Sequence, residues 1–544
     1  MRAFLLLLLS LVALPLHAER TITNPAWIAR STPVMTVDSI LLRDTLCRLY
    51  ITLKQLPHTT LTLHDDWVIQ DSLGHTIGRV KDIDGVDFNR IFQFESDSTL
   101  SVEMDFTGLP PSLEEFDLTG NRGPHEIRII GISLTKQRGP RAAQAHTQPI
   151  QPSPSCTPLP ELTFKPDTAW LHGRLIGYHP RLNLPEGIIE LTDLFTGQHT
   201  TIVVPLAADG SFAVAIPLRH PVQQKVIFND RYLSFYIEPA DSLYIEVPLD
   251  ELFAPCRHIG EIEQNCVHLI YRGRNACINE ELRQTRLKNS TETEAWIKAF
   301  NSLSPRLYQQ SETDKFQVKL QQLRHDFLIG KLSRKSYALS ILNDYYLFIS
   351  HLLVYNQIKG IEEDYEYIKN RNLYTPFAIL TPLDNPLSTA STYYPDLLVL
   401  LEKRESLSPP PIWESREFIE ALENRGIILS PAEREALKFA LGECHIPPEN
   451  VQTIIKQLNK KSEKEQIAMR EERLQQQREA NYRLLFGPSD DFTCQLLDTR
   501  RIIKLIQQLH RALSPEELEE FTKPITDTWL QQVIEQINSA APHR

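Results

Sequence analysis

Two hydrophobic rhythms divide this chain. In its first half apolar residues recur at every second position. Cys47, Leu49, Ile51 and Leu53 alternate with Arg48, Tyr50 and Thr52, and Leu100, Val102, Met104 and Phe106 alternate with Ser101, Glu103 and Asp105. Period two places one side of each segment in a core and the other in water, which predicts strands. The stretches DSLGH (71–75) and GNRGP (120–124) supply turns, and 127–134 reads as a last strand. Short strands with regular turn signals predict a β-sandwich over residues 20–136.

A second, small antiparallel β module is predicted over 167–250. Leu243, Ile245 and Val247 alternate with Tyr244 and Glu246, and Asp209-Gly210 is a tight-turn pair between apolar-rich arms, a hairpin signal. Glu238-Pro239-Ala240-Asp241-Ser242 is turn chemistry, because Pro fixes φ and Asp and Ser bond their own backbone. Between the two modules, residues 137–166 hold seven prolines (140, 149, 152, 154, 158, 160 and 166) among Gln, Ser, Thr and Ala. Such composition favours extended segments over a packed core and predicts a semi-rigid linker.

After Asn279 the rhythm becomes helical, predicting an all-helical domain over 275–538. Ser430-Pro431-Ala432-Glu433 and Ser514-Pro515-Glu516-Glu517 each combine an N-cap Ser, an early Pro and Glu at the third position, as a capping box requires. Residues 448–486 read as one helix of about 57 Å at 1.5 Å per residue. It begins with Val451, Ile454, Ile455 and Leu458 on one stripe, then turns strongly polar. That second half reads as a solvated face with i,i+4 charge pairs. A coiled-coil or partner-binding helix is the alternative, but apolar heptads are not sustained through 462–477. Near the end, Trp529, Leu530, Val533, Ile534 and Ile537 share an apolar face. The predicted class is therefore multidomain α+β: a β-sandwich, a smaller β module, then helices.

The order DGSF, then YIEPADSLYIEV, then YRGRNACIN leading into helices resembles the accessory region of TlpA-like thiol-disulfide reductases of the Bacteroidetes envelope. The resemblance spans roughly residues 160–290. The phrases ITNPAWIAR, DSLGHTIG, MDFTGLPPSLEEFDL and IRIIGISL also resemble the extra N-terminal sandwich of some members. In that family a thioredoxin domain with an active-site dithiol normally follows the helices; here the chain stops where it would start. The family phrase is closer to EPGDS, and Ala240 stands for its Gly. The replacement implies either a turn that does not need φ > 0 there or one that tolerates its cost.

Length changes the picture only by requiring several cores: 544 residues divide into about three or four domains. Apolar content of 42% and charged content of 23% belong to globular protein. A net charge of −12 argues against nucleic-acid binding, which needs a basic footprint. Residues 1–18, MRAFLLLLLSLVALPLHA, have the basic start, apolar core and small closing residue of a secretory signal peptide. No later segment approaches about 18 continuous apolar residues, so the mature chain is expected to be exported to the periplasm or cell envelope without a transmembrane segment.

Candidate chemistry is sparse. The seven cysteines, at 47, 156, 256, 266, 277, 444 and 494, include no Cys-x-x-Cys, and an odd number leaves at least one unpaired or intermolecular. Cys256-x-His258 and Cys266-x-His268 form the best metal pattern, since i and i+2 on a strand share a face and two such pairs make a Cys2His2 set. The spacing is not a common zinc-finger spacing, and the alternative is a β-to-α connection that happens to hold these residues. No metalloprotease, nucleophile-elbow or phosphate-loop motif occurs. Tyr345, Tyr346, Phe348 and Tyr355 read as core packing in preference to a ligand platform. No catalytic, cofactor or metal residue is therefore assigned. The expected function is binding or scaffolding in the envelope, with an unknown envelope protein or ligand as partner. Two alternatives remain: a thiol-disulfide component whose thioredoxin domain is lost or comes from another chain, and an enzyme with a dispersed site.

Overall fold

The computed structural model describes residues 19–123, 126–137, 166–257, 261–287, 292–360, 386–407, 414–486 and 492–542. The expected signal peptide and nearly all of the proline-rich linker lie outside them. The fold is multidomain α+β, in two compact units. The first takes the described residues of 1–192, 199–301 and 325–337; the second takes those of 193–198, 302–324 and 338–544.

The first unit begins with β1 (Arg20–Thr23), β2 (Ala29–Arg30), β3 (Met35–Arg43), β4 (Leu46–Lys54), β5 (Thr60–Thr62), β6 (Val68–Gln70), β7 (Thr76–Asp84), β8 (Ile91–Gln93), β9 (Thr99–Thr107), β10 (Glu115–Gly120) and β11 (Ile127–Ser133). Nine of these form one antiparallel sheet, ordered β1-β3-β4-β9-β7-β6-β10-β11-β2, and β5 and β8 pair separately. Strand β7 turns the corner. Its first half pairs with β6 and its second with β9, with register shifts at Ile69/Gln70 and at Val80/Asp82. Such bulges bend a strand and let one sheet fold over itself. The two halves close on one core, with Leu49, Ile51, Met104 and Phe106 facing Trp67, Ile69, Phe116 and Leu118. Gly120 is demanded by this packing, since a Cβ there would stand 2.1 Å from Cδ2 of Trp67.

The second module holds β12 (Asp167–Ile176), β13 (Gly187–Thr192), β14 (His199–Val204), β15 (Ser211–Leu218), β16 (Val222–Phe228), β17 (Arg231–Ile237), β18 (Ser242–Pro248) and β19 (Ile270–Gly273). They form two four-stranded sheets, β15-β12-β18-β19 and β14-β13-β16-β17. Only β12 and β18 run parallel among the described strands. The expected hairpin at Asp209-Gly210 is half right. Gly210 does close a turn on Ala207 (2.9 Å) with φ 80°. Yet β14 and β15 belong to different sheets, and β15 pairs with β12 over eight residues. Phe212, Val214, Ile216 and Leu218 are all buried in the core between the sheets, so the turn carries the chain from one layer to the other. Strand β19 arrives after α1 (Leu249–Leu252) and α2 (Ile262–Asn265), and α3 (Ala276–Leu287) and α4 (Glu292–Ser302) follow it.

Within the first unit the two β modules share a core: Ala29 and Ile130 belong to the same buried cluster as Leu171 and Leu252. Two ion pairs reinforce the junction. Arg30 grips Asp250 with two bonds of 2.9 and 2.8 Å. Arg181, in the 3-10 turn Pro180–Leu182, reaches Asp117 at 3.0 Å and Glu115 at 3.3 Å.

The second unit is helical. It includes α5 (Pro305–Leu328) and α6 (Arg334–Lys359) apart from their linking turn, then α7 (Tyr394–Leu407), α8 (Ser415–Asn424), α9 (Pro431–Ala440), α10 (Val451–Lys461), α11 (Glu463–Phe486), α12 (Phe492–Leu509), α13 (Pro515–Thr522) and α14 (Thr528–Ala540). Both expected capping boxes form, at Ser430/Glu433 and Ser514/Glu517. The single helix expected over 448–486 does not. It breaks at Ser462, whose φ is −120° and whose N–H and hydroxyl both donate to the Leu458 carbonyl (2.9 and 2.8 Å). Ser and Thr bonded back to the i−4 carbonyl bend helices. The break lets Leu458 and Met469 enter one small core with Ile419, Leu422 and Leu437. Among the described residues no helix is long and apolar enough to cross a membrane.

Candidate functional site

Residues 234–286 carry a buried polar network of the first unit. It starts at the turn between β17 and β18. Glu238 accepts from the Asp241 N–H at 3.1 Å across Pro239 and Ala240, and Ala240 has φ 59°. Pro followed by a residue with positive φ is the type II pattern, which favours Gly at the third position. Of the two alternatives the sequence left open, the structure therefore selects the tolerated cost. Ala240→Gly should accordingly stabilise the first unit by about 1 kcal/mol, the strain released less the extra backbone entropy of Gly. A fall in its denaturation midpoint would contradict this.

Around that turn, polar side chains hold layers together. Asn275 donates to Asp241 at 2.7 Å, and Arg274 reaches Glu238 at 3.1 Å. One turn into α3, Asn279 is 1% exposed. Its amide accepts from Tyr236 N–H (2.6 Å) and donates to the carbonyls of Tyr236 and Asn275 (both 2.9 Å). A side-chain amide thus continues the ladder of β17 where, among the described residues, no further strand is paired. Glu238 also accepts from the Tyr236 hydroxyl at 2.9 Å and from Lys335, whose ammonium lies 5.0 Å from the Tyr236 ring centroid. Burial pushes the Glu238 carboxyl upward, but Lys335, the Tyr236 hydroxyl and Arg274 outweigh it and hold it below the usual carboxylate range. Burial, and then Glu238, push the Tyr236 phenol well up, so it stays a donor.

Two further carboxylates extend the network. Glu281 accepts from the Cys277 thiol at 3.0 Å and from the N–H and hydroxyl of Ser333 at 2.8 and 2.7 Å. Glu263, 4% exposed, accepts from Ser234 N–H at 2.5 Å and from Arg286 at 3.2 Å. Most acceptors here meet a donor, which is what buried polar groups need to avoid their desolvation cost, although Nη2 of Arg286 is buried without a hydrogen-bond partner among the described residues. The arrangement docks α3 and the α5–α6 turn onto β17.

The metal candidates are placed apart in role. Cys266 caps the short α2, is fully buried and donates to the Ile262 carbonyl at 3.4 Å. Burial, with Glu263 next in weight, holds its thiol at about 12. Cys256 accepts from Arg231 at 2.7 Å, and His268 is engaged by Glu251. His258 lies outside the described residues. Among the described residues no three His, Cys, Asp or Glu groups are arranged to hold a metal ion. The six described cysteines are all free thiols. Cys47, buried in the sandwich, is likewise pushed up to about 12 by burial and then by Asp105.

The aromatic run of α6 is core. Tyr345, Tyr346, Phe348 and Tyr355 are at most 4% exposed. Tyr355 stacks on Tyr308 with centroids 3.9 Å apart, and Phe348 on Phe316 at 4.8 Å. The turn and the NACIN phrase stand out in the sequence, whereas Asn279 does not stand out as the cap of β17. Its i,i+4 spacing from Asn275 was the available signal. Nothing local points to Lys335, which reaches Glu238 across 97 residues of chain. No family model, curated protein or solved structure matches the chain.

Proposed function

We propose that the chain is an exported cell-envelope protein that works by binding or scaffolding and performs no thiol-disulfide chemistry of its own. The observation that carries this reading is the state of the thiols beside the family phrases. Cys266 is buried with its pKa at about 12, and Cys277 is spent on Glu281. Redox exchange needs the opposite: an accessible thiolate with a resolving thiol close by. The address in the periplasm or envelope is supported by the composition of residues 1–18. The resemblance to accessory modules of thiol-disulfide reductases supports a role in positioning a partner.

Insulin reduction tests it. The mature protein should turn over insulin disulfides no faster than an ordinary exposed thiol. Turnover that disappears on changing Cys256, Cys266 or Cys277 to Ser would overturn the proposal. Turnover that appears only when a separate thioredoxin-domain chain is added would favour the other reading that the resemblance supports, a split thiol-disulfide system.

A further inference from the structure

The outer face of the sheet β15-β12-β18-β19 is organised in a way the core does not require. Register places its outward residues in three rungs. The first is Ala215, Trp170 and Ser242; the second Ala213, His172, Tyr244 and Arg272; the third Ser211, Arg174, Glu246 and Ile270. Two-residue steps along a strand are about 6.8 Å, so three rungs cover about 14 Å. Trp170 is 45% exposed although it sits mid-sheet. Its lateral neighbours are Ala215 and Ser242, so nothing large flanks it across the strands. Along its own strand it lies nearly parallel to His172, with ring centroids 5.9 Å apart.

One and two rungs away the charged groups are paired but not used up. Arg272 lies over Tyr244 (5.2 Å) and 3.8 Å from Glu246, which also accepts from the Tyr244 hydroxyl at 3.0 Å. Arg174 stands 3.8 Å from Asp209. With Asp209 from the adjoining turn, Arg174, Arg272 and Glu246 make two cations and two carboxylates, which balance. A nucleic acid or an acidic peptide would need an excess of positive charge. An apolar helix would need a contiguous apolar patch, and here Trp170 stands among Ala and Ser. An exposed aromatic ring beside planar, bidentate hydrogen-bonding groups suits a ligand with an apolar C–H face and a rim of hydroxyls.

The geometry points to a neutral oligosaccharide as the ligand of this face, stacked on Trp170 and hydrogen-bonded by Arg272, Glu246 and Arg174. This deepens, and rests on, the reading of the protein as a binding one. The test is native affinity electrophoresis of the full mature chain in gels containing soluble β-glucan, xylan, galactomannan or starch, one at a time. At least one should retard the protein. Trp170→Ala should weaken that retardation about tenfold, the effect of losing one aromatic contact. Arg272→Ala should weaken it several-fold and Trp170→Phe less, all with unchanged circular dichroism. The proposal is overturned if none of the four retards the chain, if Trp170→Ala is retarded like the wild type, or if only an anionic polymer such as polyglutamate retains it. Its failure is separable from that of the non-catalytic reading: no retardation removes the carbohydrate site, whereas insulin turnover removes the reading beneath it.

Discussion

Asn279→Ala should lower the stability of the first unit by about 4 kcal/mol, because it strands two buried backbone groups at about 1–3 kcal/mol each and deletes a third bond. The stranded groups are the N–H and carbonyl of Tyr236, which is itself fully buried. With two units in the chain, a single unfolding midpoint would blur the effect. Native-state hydrogen exchange resolves it: amides of β17 and β18 should lose about a thousandfold in protection, at roughly 1.4 kcal/mol per decade. A loss below tenfold would mean that Asn279 is not the cap of that strand.

Glu238→Ala should cost about 3–5 kcal/mol, the usual penalty for leaving a buried charge without its partner. The charge left behind is Lys335, with 8% of its side chain exposed, and the Tyr236 hydroxyl loses its acceptor as well. Glu238→Ala combined with Lys335→Met should recover much of the loss, since an apolar pair of similar size removes the desolvation problem. The pH dependence has a definite sign. The folded Glu238 carboxyl titrates below its unfolded value of about 4.3. Its contribution is therefore complete above that value and is lost as pH falls through the folded pKa. Wild-type protein should lose stability on acidification below about pH 4.3, and Glu238→Ala should lose less over the same window. Equal acid sensitivity in the two would contradict the assignment.

Period-two patterning was enough to find strands such as β4 and β18, because one face of each meets a core: Leu49, Ile51, Leu243 and Ile245 are at most 1% exposed. Capping boxes were legible for a similar reason, since Ser430 and Glu433 satisfy each other within four residues. What escaped depends on long-range geometry. The turn at Asp209-Gly210 has the local chemistry of a hairpin, but whether its arms pair with each other is decided by β12, which competes for β15. The break at Ser462 serves the small core around Leu422, assembled from four helices whose meeting no local pattern announces. The junction itself was half legible. Its turn and its two asparagines stand in recognisable phrases, whereas Ser333 and Lys335 arrive from the start of α6, far along the chain.

The central claim is that the cysteines and carboxylates of this junction hold layers together and do not perform exchange. Alkylation of the native protein, followed residue by residue across pH, tests that claim most directly, because only thiolates react. Cys444 is exposed and should be modified at the rate of an ordinary surface thiol. Cys266 and Cys47, with pKa values of about 12 and no exposure, should react only through opening of the fold. Cys277, bound to Glu281, should be slower than Cys444. Modification of Cys266 or Cys277 at pH 7 faster than Cys444 would contradict the account.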